Sequence, residues 1–323
     1  MSRPFCELHL HIEGTLEPPT IFDLARQQGV ALADADEGEL AARYRFDDLQ
    51  SFLDLYYENM RVLRDEDAFA AMTWAYLVRA QRAGVAHVEL FVDPQAHSSR
   101  GVPEQVVLRG IRRSLDRADA ELGITSGIIV CVLRDQPVAS AHAMLDAVLA
   151  TGIPVLGLGL DSAEVGYPPS LFTAVFDEAR AAGLHVVAHA GEEGPAAYVW
   201  QALDLLGAER IDHGIHALDD DALVARLVRD RIPLTVCPLS NVALKVVGDV
   251  GAVPIRRMLD TGLRVTINSD DPAYFGGYLD DNISAVASAH ALTAAELDAL
   301  CRNSIEGSFA SDARRAELLA RLG

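Results

Sequence analysis

Residues 5–11 have the sequence FCELHLH, and the interpretation of the whole chain starts from this stretch. Its short apolar beginning predicts a β-strand, and a strand sends alternate side chains to the same face. His9 and His11 at the end of that strand therefore converge on one point, as the ligands of a metal ion do. The ordinary alternative is a half-exposed strand that carries two histidines without any ligand.

Metal-ligating residue types recur at three later points, each after an apolar, β-branched run. His189 lies in the stretch VAHAGE (187–192), His213 in IDHG (211–214), and Asp270 and Asp271 in INSDDP (267–272). Imidazole nitrogens together with carboxylate oxygens suit zinc and related divalent metals. This recurrence favours a metal site over the ordinary interpretation of the two N-terminal histidines.

The composition is that of a globular chain with a large core. With 323 residues, of which 50% are hydrophobic, the chain is predicted to form a single domain over residues 1–323, since α/β barrels often exceed the usual domain size. The formal net charge of −20 disfavours nucleic acid and anionic membranes as partners, because their phosphates would be repelled. The charge places no restriction on a small neutral substrate.

The cysteines and the termini suggest a reducing compartment. The chain has four cysteines that are far apart and form no C-x-x-C pair, so we expect buried, reduced thiols at Cys6, Cys131, Cys237 and Cys301. The N-terminus has no basic segment followed by an apolar one, and no apolar run reaches the roughly 18 residues of a spanning helix. We therefore expect a cytoplasmic protein, and the sequence leaves open whether it forms a homo-oligomer.

Short apolar segments alternate with amphipathic ones along the chain. Strands are predicted at 5–8, 85–92, 124–133, 155–160, 185–188, 210–212, 233–236 and 263–267, and helices at 103–121, 140–149, 169–182, 196–206, 219–229 and 255–259. Eight strands that alternate with helices predict a (β/α)8 TIM barrel. The connection over residues 15–84 is too long for an ordinary loop, so a helical cap is expected after the first strand.

The barrel hypothesis places the candidate ligands together. In this fold the active site lies at the carboxyl ends of the strands, and His9 with His11, His189, His213, and the two aspartates follow strands one, five, six and eight. Six other histidines do not share this placement and are interpreted as structural or solvated: His87, His97, His142, His185, His216 and His290. Of these, His97 and His216 remain alternatives for a contact with the site.

Five motifs, in order along the chain, resemble the adenosine and adenine deaminase family, a branch of the metal-dependent amidohydrolase barrels. They are ELHLHIEG (7–14), HAGE (189–192), DHG (212–214), CPLSN (237–241) and SDDP (269–272), and residues 303–309 are similar to the closing helix of that family. The resemblance implies that His9, His11, His189 and Asp270 are zinc ligands. It also implies that Glu192, His213 and Asp271 are catalytic.

The metal content follows from the ligand types and from lysine usage. We expect one zinc ion per chain, although iron(II) or cobalt(II) would suit the same ligands. Two-metal relatives of this architecture often bridge their metals with a carbamylated lysine at the end of the fourth strand. The only lysine of this chain is Lys245, in the loop after strand seven. A single metal is therefore favoured.

The chemistry of deamination is consistent with these roles. Replacement of the exocyclic amine of a 6-aminopurine needs a hydroxide at neutral pH, which zinc supplies by lowering the pKa of a water to about 7. Asp271 and His213 would accept the water proton, and a protonated Glu192 would donate to N1 of the purine. Each residue has a structural alternative: a first-turn glutamate for Glu192, a core histidine for His213, and a turn before Pro272 for the aspartates.

Four residues are interpreted as substrate contacts. Adenosine-specific members have an aspartate where this chain has Glu13, and the loop over residues 159–169, with Asp161 and Glu164, is similar to that of the adenine deaminase branch. A carboxylate at Glu164 would accept a hydrogen bond from the imidazole edge of free adenine, whereas its alternative is a surface position. Phe52, in an aromatic stripe of the expected cap, is expected to line the pocket or, alternatively, to pack in the core.

The resulting hypothesis is hydrolysis of adenine to hypoxanthine and ammonia. Deamination of N6-substituted adenine or of adenosine is the nearest alternative, and a cyclic-amide amidohydrolase is the alternative from another reaction class. A metal-binding regulator is disfavoured, because none of the three catalytic candidates is missing. The cytidine-type deaminases are disfavoured as well, since His11-Ile12-Glu13 has no P-C-x-x-C partner in the chain.

Overall fold

A closed ring of eight parallel strands forms the centre of the computed structural model, which describes residues 3–323. The strands are β1 (Phe5–His11), β2 (Val85–Val92), β3 (Thr125–Leu133), β4 (Gly157–Asp161), β5 (His185–Ala190), β6 (Arg210–His213), β7 (Pro233–Val236) and β8 (Arg264–Ile267). Each strand pairs with its sequence neighbours, and β1 meets the chain after β8, where His11 N donates to Asp270 O at 3.0 Å. The (β/α)8 barrel predicted from the sequence is confirmed.

Helices cover the outside of this barrel. In the described residues they are α1 (Pro18–Gln28), α2 (Glu37–Ala42), α3 (Leu49–Asn59), α4 (Glu66–Ala83), α5 (Pro94–Ser98), α6 (Glu104–Leu122), α7 (Val138–Ala150), α8 (Thr173–Ala181), α9 (Ala196–Gln201), α10 (Asp221–Asp230), α11 (Pro238–Ala243), α12 (Ile255–Asp260), α13 (Pro272–Phe275), α14 (Leu279–Ala289), α15 (Ala294–Glu306) and α16 (Asp312–Leu322). A π-helical turn, Ala202–Leu206, extends α9.

The long first connection is divided between the cap and the barrel. Helix α4 packs against α6 and β2, so it occupies the position of the first barrel helix and leaves α1–α3 to form the cap. The Asp65 side chain accepts a hydrogen bond from Ala68 N at the start of α4, and Gly84 ends the helix with φ +83. Only glycine adopts that left-handed conformation at little cost. The connection over residues 15–84 thus contributes a helical cap, as expected from the sequence, and also the first barrel helix.

The strand boundaries place the predicted site residues at one end of the barrel. Strands β1, β5 and β6 extend three, two and one residues beyond the ends predicted from the sequence, so His11 and His213 are the last residues of their strands and His189 the last but one. The four cysteines are buried and free, in agreement with the sequence analysis. Among the described residues, no helix is long and apolar enough to cross a membrane.

Candidate metal centre and active site

Four side chains meet at the carboxyl end of the barrel. His9, His11, His189 and Asp270 each direct one ligand atom to a common point, and these atoms all lie within 4.8 Å of one another. Asp270 Oδ1 lies 3.2 Å from His9 Nε2 and 3.5 Å from His11 Nε2, while the Nε2 atoms of His11 and His189 are 3.2 Å apart. Strands β1 and β5 and the residues after β8 thus supply one compact set of donors.

Hydrogen bonds on the outer ring nitrogens orient two of these histidines. His9 Nδ1 lies 3.2 Å from Thr235 O, and His189 Nδ1 lies 3.0 Å from Leu160 O. A carbonyl oxygen only accepts, so each Nδ1 carries the hydrogen and each Nε2 keeps a lone pair for a metal. The buried His9 Nε2 has no hydrogen-bond partner among the described residues. Three imidazoles and a carboxylate arranged in this way fit a divalent metal ion.

The backbone is strained where it delivers these groups. Ser162, His213 and Asp270, which follow or end strands β4, β6 and β8, have φ values of 71, 62 and 64°. Residues other than glycine enter this left-handed region at a cost, and such positions cluster at functional sites. The conformation turns the chain sharply and directs the His213 and Asp270 side chains into the barrel mouth.

Glu192 and His213 face the metal cluster from one side. Glu192 Oε1 lies 3.5 Å from His213 Nε2, which in turn lies 3.7 Å from Asp270 Oδ2. Burial, with the negative charge of Asp270, raises the pKa of Glu192 well above its ordinary value. Glu192 precedes α9 in a buried loop and lies outside the first helical turn, which removes the structural alternative considered from the sequence.

Asp271 is held against the start of the cap. It is the N-cap residue of α13, but its side chain makes no capping hydrogen bond, and its Oδ1 is buried without a partner among the described residues. Burial and the charge of Asp270 raise the pKa of Asp271. A Cβ on Gly14 would lie 2.0 Å from Asp271 Oδ1, so only glycine fits beside this carboxyl group.

A cavity opens above the cluster. Its floor contains His11, His189, Glu192, His213, Asp270 and Asp271, and Asp93, Asp161 and Ser162 form part of its wall. Helix α3 covers it with apolar and aromatic side chains: Leu49, Phe52, Leu53, Tyr56 and Tyr57, together with Leu244 and Phe275 from the other side. The structure therefore brings Asp161 and Phe52 to the cavity, as the sequence predicted for both.

Glu13 and Glu164 do not line this cavity, in contrast to the substrate contacts predicted for them. Glu13 is completely buried behind the wall, where its Oε1 accepts hydrogen bonds from His97 Nε2 at 2.7 Å and from Asp93 N at 3.2 Å. Glu13 therefore supports the chain at the end of β2. His97 is buried beside it and His216 is partly exposed, and neither lines the cavity.

Glu164 instead binds the loop that carries Glu192. Its carboxylate accepts four backbone hydrogen bonds, from the successive N–H groups of residues 191, 192, 193 and 194, at 2.7 to 3.0 Å. Both oxygens are thereby used, which leaves none for the imidazole edge of a substrate. A Cβ on Gly194 would lie 2.5 Å from Glu164 Oε1, so glycine at this position allows the close contact.

Asp93 is a wall residue that the sequence analysis missed. It follows β2 and precedes Pro94, the first residue of α5, and its side chain makes no capping hydrogen bond. Asp271 precedes Pro272 in the same way, with similar backbone angles of φ −113 and ψ 76 against φ −105 and ψ 78 at Asp93. A proline at the first helical position fixes this geometry. An aspartate followed by proline at a strand end was thus the sequence signal that could have identified Asp93 as a site residue.

Comparison with known proteins agrees with this geometry. The family model described as adenosine deaminase matches residues 4–323. The chain belongs to the adenosine deaminase family. An adenine deaminase of Streptomyces coelicolor is 53% identical over 324 residues, which cover 100% of this chain and 95% of that protein. The resemblance recognised from the sequence motifs is confirmed.

Solved structures of similar proteins share the fold. An adenine deaminase from Arthrobacter aurescens is 51% identical, with a TM-score of 0.98 over 99% of this chain and 98% of that one. An amidohydrolase from Burkholderia ambifaria, solved with bound zinc, is 29% identical, with a TM-score of 0.91 over 99% of this chain and 89% of that one. This member of the adenosine deaminase family thus has both sequence and structural relatives over its full length.

Proposed function

We propose that this protein hydrolyses adenine to hypoxanthine and ammonia and holds one zinc ion per chain. The observation that carries the proposal is that the metal cluster of three histidines and Asp270 lies at the floor of the cavity that Glu192, His213 and Asp271 also line. Adenine deaminases that are 51–53% identical over the whole chain support adenine as the substrate. Residues 1–323 act as one domain in this proposal, because β1, β5, β6 and β8 all contribute to the site.

The ligands of the zinc ion would be His9, His11, His189 and Asp270. Zinc in such a site lowers the pKa of a bound water to about 7 and so supplies a nucleophile at neutral pH. The zinc-bound amidohydrolase that shares the fold supports this choice of metal. Lys245, the only lysine, contacts Asp47 at 2.6 Å and does not line the cavity, so a bridging lysine for a second metal is absent.

His213 and Asp271 orient the attacking water and accept its proton. Both are buried and line the cavity beside the metal ligands. Asn241, from the CPLSN motif, lies with its Nδ2 3.5 Å from His213 Nδ1 and helps to fix the ring. A positioned general base of this kind typically raises a reaction rate by about 10²–10⁴-fold.

Glu192 donates a proton to N1 as C6 is attacked. Its raised pKa keeps the carboxyl group protonated at a pH where an exposed glutamate would be ionised. The proton lost from the water then leaves with the amine as ammonia, and the proton of the hydroxyl group added at C6 returns to Glu192 as the C6 carbonyl forms, so atoms and charges balance over the reaction. The aromatic side chains of α3 exclude bulk water from the purine during these steps.

Ammonia release from adenine, adenosine, N6-isopentenyladenine and guanine tests the proposal, with metal analysis of the same preparation. We expect adenine to give the highest kcat/KM and the metal analysis to give one zinc per chain. A preference for adenosine or the N6-substituted base would assign another aminopurine to the same chemistry. Absence of ammonia from all four would contradict deamination and favour a cyclic amide substrate. Two metal equivalents that are both needed for activity would contradict the single-metal proposal.

A further inference from the structure

The ends of β2 and β4 place two buried carboxyl groups on the cavity wall. Asp93 and Asp161 are each 2% exposed, and one oxygen of each lies within 4.8 Å of the other and of a ring nitrogen of His11. Within residues 3–323 no backbone or cationic group donates a hydrogen bond to Asp93 Oδ1 or to either oxygen of Asp161, and the side chains close enough to hydrogen-bond with them are each other's carboxyl group and the Cys131 thiol. A buried carboxylate without a donor is costly, so this wall is built for a ligand that supplies one.

A second metal ion does not fit this wall. His11 directs Nε2 to the metal cluster, and its Nδ1 lies 3.6 Å from Asp161 Oδ2. A metal between Asp93 and Asp161 would need that same Nδ1 as its third ligand, so one imidazole would have to bridge two metal ions. In histidine ligands of metals, the second ring nitrogen commonly donates to a carboxylate, and His11 Nδ1 faces Asp161 in this way. The wall is thus available to a hydrogen-bond donor from a small molecule.

Asp93 is rigidly held for such a contact. Glu13 Oε1 accepts a hydrogen bond from Asp93 N, and the His97 side chain, which contacts Glu13 at 2.7 Å, lies with Nδ1 2.5 Å from an Arg100 guanidinium nitrogen. The Asp93 carboxyl group itself is not used to cap α5. This buried chain of hydrogen bonds fixes the backbone while it leaves the Asp93 carboxyl group free, which is the arrangement expected for a ligand contact.

The reacting groups determine which part of a purine meets this wall. Glu192 and His213 follow β5 and β6, whereas Asp93 and Asp161 follow β2 and β4. When C6 lies at the metal cluster and N1 at Glu192, the imidazole ring extends away from these groups. If the function proposed above holds, the ring of free adenine brings an N–H into the remaining part of the cavity.

We propose that Asp93, with Asp161 beside it, accepts a hydrogen bond from the imidazole N–H of adenine and thereby selects the free base. In a nucleoside N9 is bonded to carbon and offers no hydrogen. The buried Asp93 carboxyl group would then stay unpaired, and a site that leaves a buried polar group unpaired rejects an analogue by up to about 10⁴-fold. Asp93 thus takes the role that the sequence analysis assigned to Glu164.

The test compares adenine with 9-methyladenine, whose methyl group removes the N–H without adding a sugar. For the wild-type enzyme we expect kcat/KM for adenine to exceed that for 9-methyladenine by about 10²-fold, the cost of leaving a buried carboxyl group without a hydrogen-bond partner. Asp93→Ala should lower kcat/KM for adenine by about 10²-fold and leave 9-methyladenine within about threefold. Asp93→Asn keeps a neutral hydrogen-bond acceptor, so its kcat/KM for adenine should lie between that of the wild type and that of Asp93→Ala.

Asp135→Asn is the matched control. The charge of Asp135 acts on Asp93, but Asp135 does not line the cavity. Asp135→Asn therefore removes one carboxylate charge near Asp93 and keeps the Asp93 side chain that accepts the hydrogen bond. We expect the control to keep the wild-type preference between the two substrates. Equal losses on both substrates in Asp93→Ala, or a lost preference in the control, would overturn the inference. A wild-type enzyme that deaminates neither substrate would instead overturn the proposed function.

A measurement on the wild-type enzyme covers the case in which Asp93→Ala does not fold. Hypoxanthine and 9-methylhypoxanthine are compared as competitive inhibitors at full metal loading. Hypoxanthine should bind about 10²-fold more tightly, since only it carries the imidazole N–H. Equal inhibition by the two would overturn the role of Asp93, whatever the behaviour of its variants.

Discussion

Buried acidic groups in two regions of the barrel differ in their partners. Glu89, inside the barrel on β2, is surrounded by donors: Arg210 Nη1 at 2.5 Å, the Phe309 N–H at 2.5 Å and His87 Nε2 at 3.2 Å. At the barrel mouth, Asp93 and Asp271 are equally buried, but each has an oxygen without any donor among residues 3–323. The first arrangement is complete without a ligand, and the second is not.

The pKa values of the two regions move in opposite directions. Burial alone would raise the pKa of Glu89, but the charge of Arg210 and the hydrogen bond from His87 lower it to about 2. Burial and neighbouring carboxylates raise the pKa of Glu192 and of Asp271. A buried acid paired with a cation is held ionised, and loss of the pair destabilises the fold, whereas unpaired acids are available for proton transfer. Substitutions in the two regions should therefore affect different properties.

The largest effect on activity is expected at Glu192. Glu192→Gln keeps the size and hydrogen-bonding capacity of the side chain but cannot donate a carboxylic proton to N1. We expect kcat for adenine to fall by about 10³-fold or more while zinc content stays at the wild-type level. Steady-state kinetics and metal analysis of the same preparation check both parts. Turnover within tenfold of the wild type would mean that another group protonates N1.

The two adjacent aspartates should separate metal binding from catalysis. Asp270→Asn removes a charged oxygen from the metal cluster, and we expect it to lose both metal and activity. Asp271→Asn should keep the metal and lose about 10²–10³-fold in kcat, since it removes a proton acceptor. Metal titration by a competing chelator compares the variants directly. Equal metal affinity in both would contradict the assignment of Asp270 as ligand and Asp271 as base.

A smaller effect is expected at Glu164, which acts on the reaction through the backbone of the Glu192 loop. Glu164→Gln places an amide NH2 where backbone N–H groups now donate, so we expect kcat to fall about 30-fold with KM within about threefold. Glu193→Gln is the matched control, because Glu193 lies exposed in the same loop. Glu164→Asp, which keeps the charge, should recover part of kcat. A KM effect alone at Glu164 would favour the substrate contact predicted from the sequence.

The sequence predicted the barrel and the cluster for a physical reason. Strand ends in a parallel barrel converge, so His9, His11, His189, His213, Asp270 and Asp271 could be placed together without any knowledge of distances, and the resemblance to the family selected the four metal ligands among them. Because these residues follow the apolar strand segments closely, the sequence places each of them at the carboxyl end of its strand to within one or two residues. The same reasoning could have found Asp93, because Val92-Asp93-Pro94 repeats the pattern of a strand end followed by aspartate and proline.

Loop contacts were beyond prediction from the sequence. The role of Glu164 depends on the path of residues 191–194, whose four N–H groups turn toward one carboxylate. No periodicity specifies such a turn. Glu13 follows His11 by two residues, yet the short 3₁₀ turn Glu13–Thr15 places it behind the cavity wall. In both cases local backbone geometry decides which side of the wall a carboxylate reaches.

The smallest effect on activity, and the clearest test of the contrast, is expected at Glu89. Glu89→Gln removes the closer of the two buried acidic partners of Arg210, the other being Asp212 at 3.6 Å, so we expect the free energy of unfolding to fall by about 3 kcal/mol. Neither residue lines the cavity, and kcat should stay within about threefold at a temperature where the variant is folded. Urea unfolding at saturating zinc gives the free energy of unfolding, and steady-state kinetics give kcat.

The pH dependence of that loss has a definite sign. The pKa of Glu89 is lowered from its ordinary value of 4.5 to about 2 in the folded state, so its ionised form stabilises the fold fully above pH 4.5. This contribution is lost as the pH falls from 4.5 toward 2, where the carboxylate becomes protonated. The difference in unfolding free energy between wild type and Glu89→Gln should thus be constant near neutral pH and shrink below pH 4.5. A difference that grows on acidification, or a large loss of kcat in the folded variant, would mean that Glu89 is not a purely structural acid and that donor pairing does not separate the two regions.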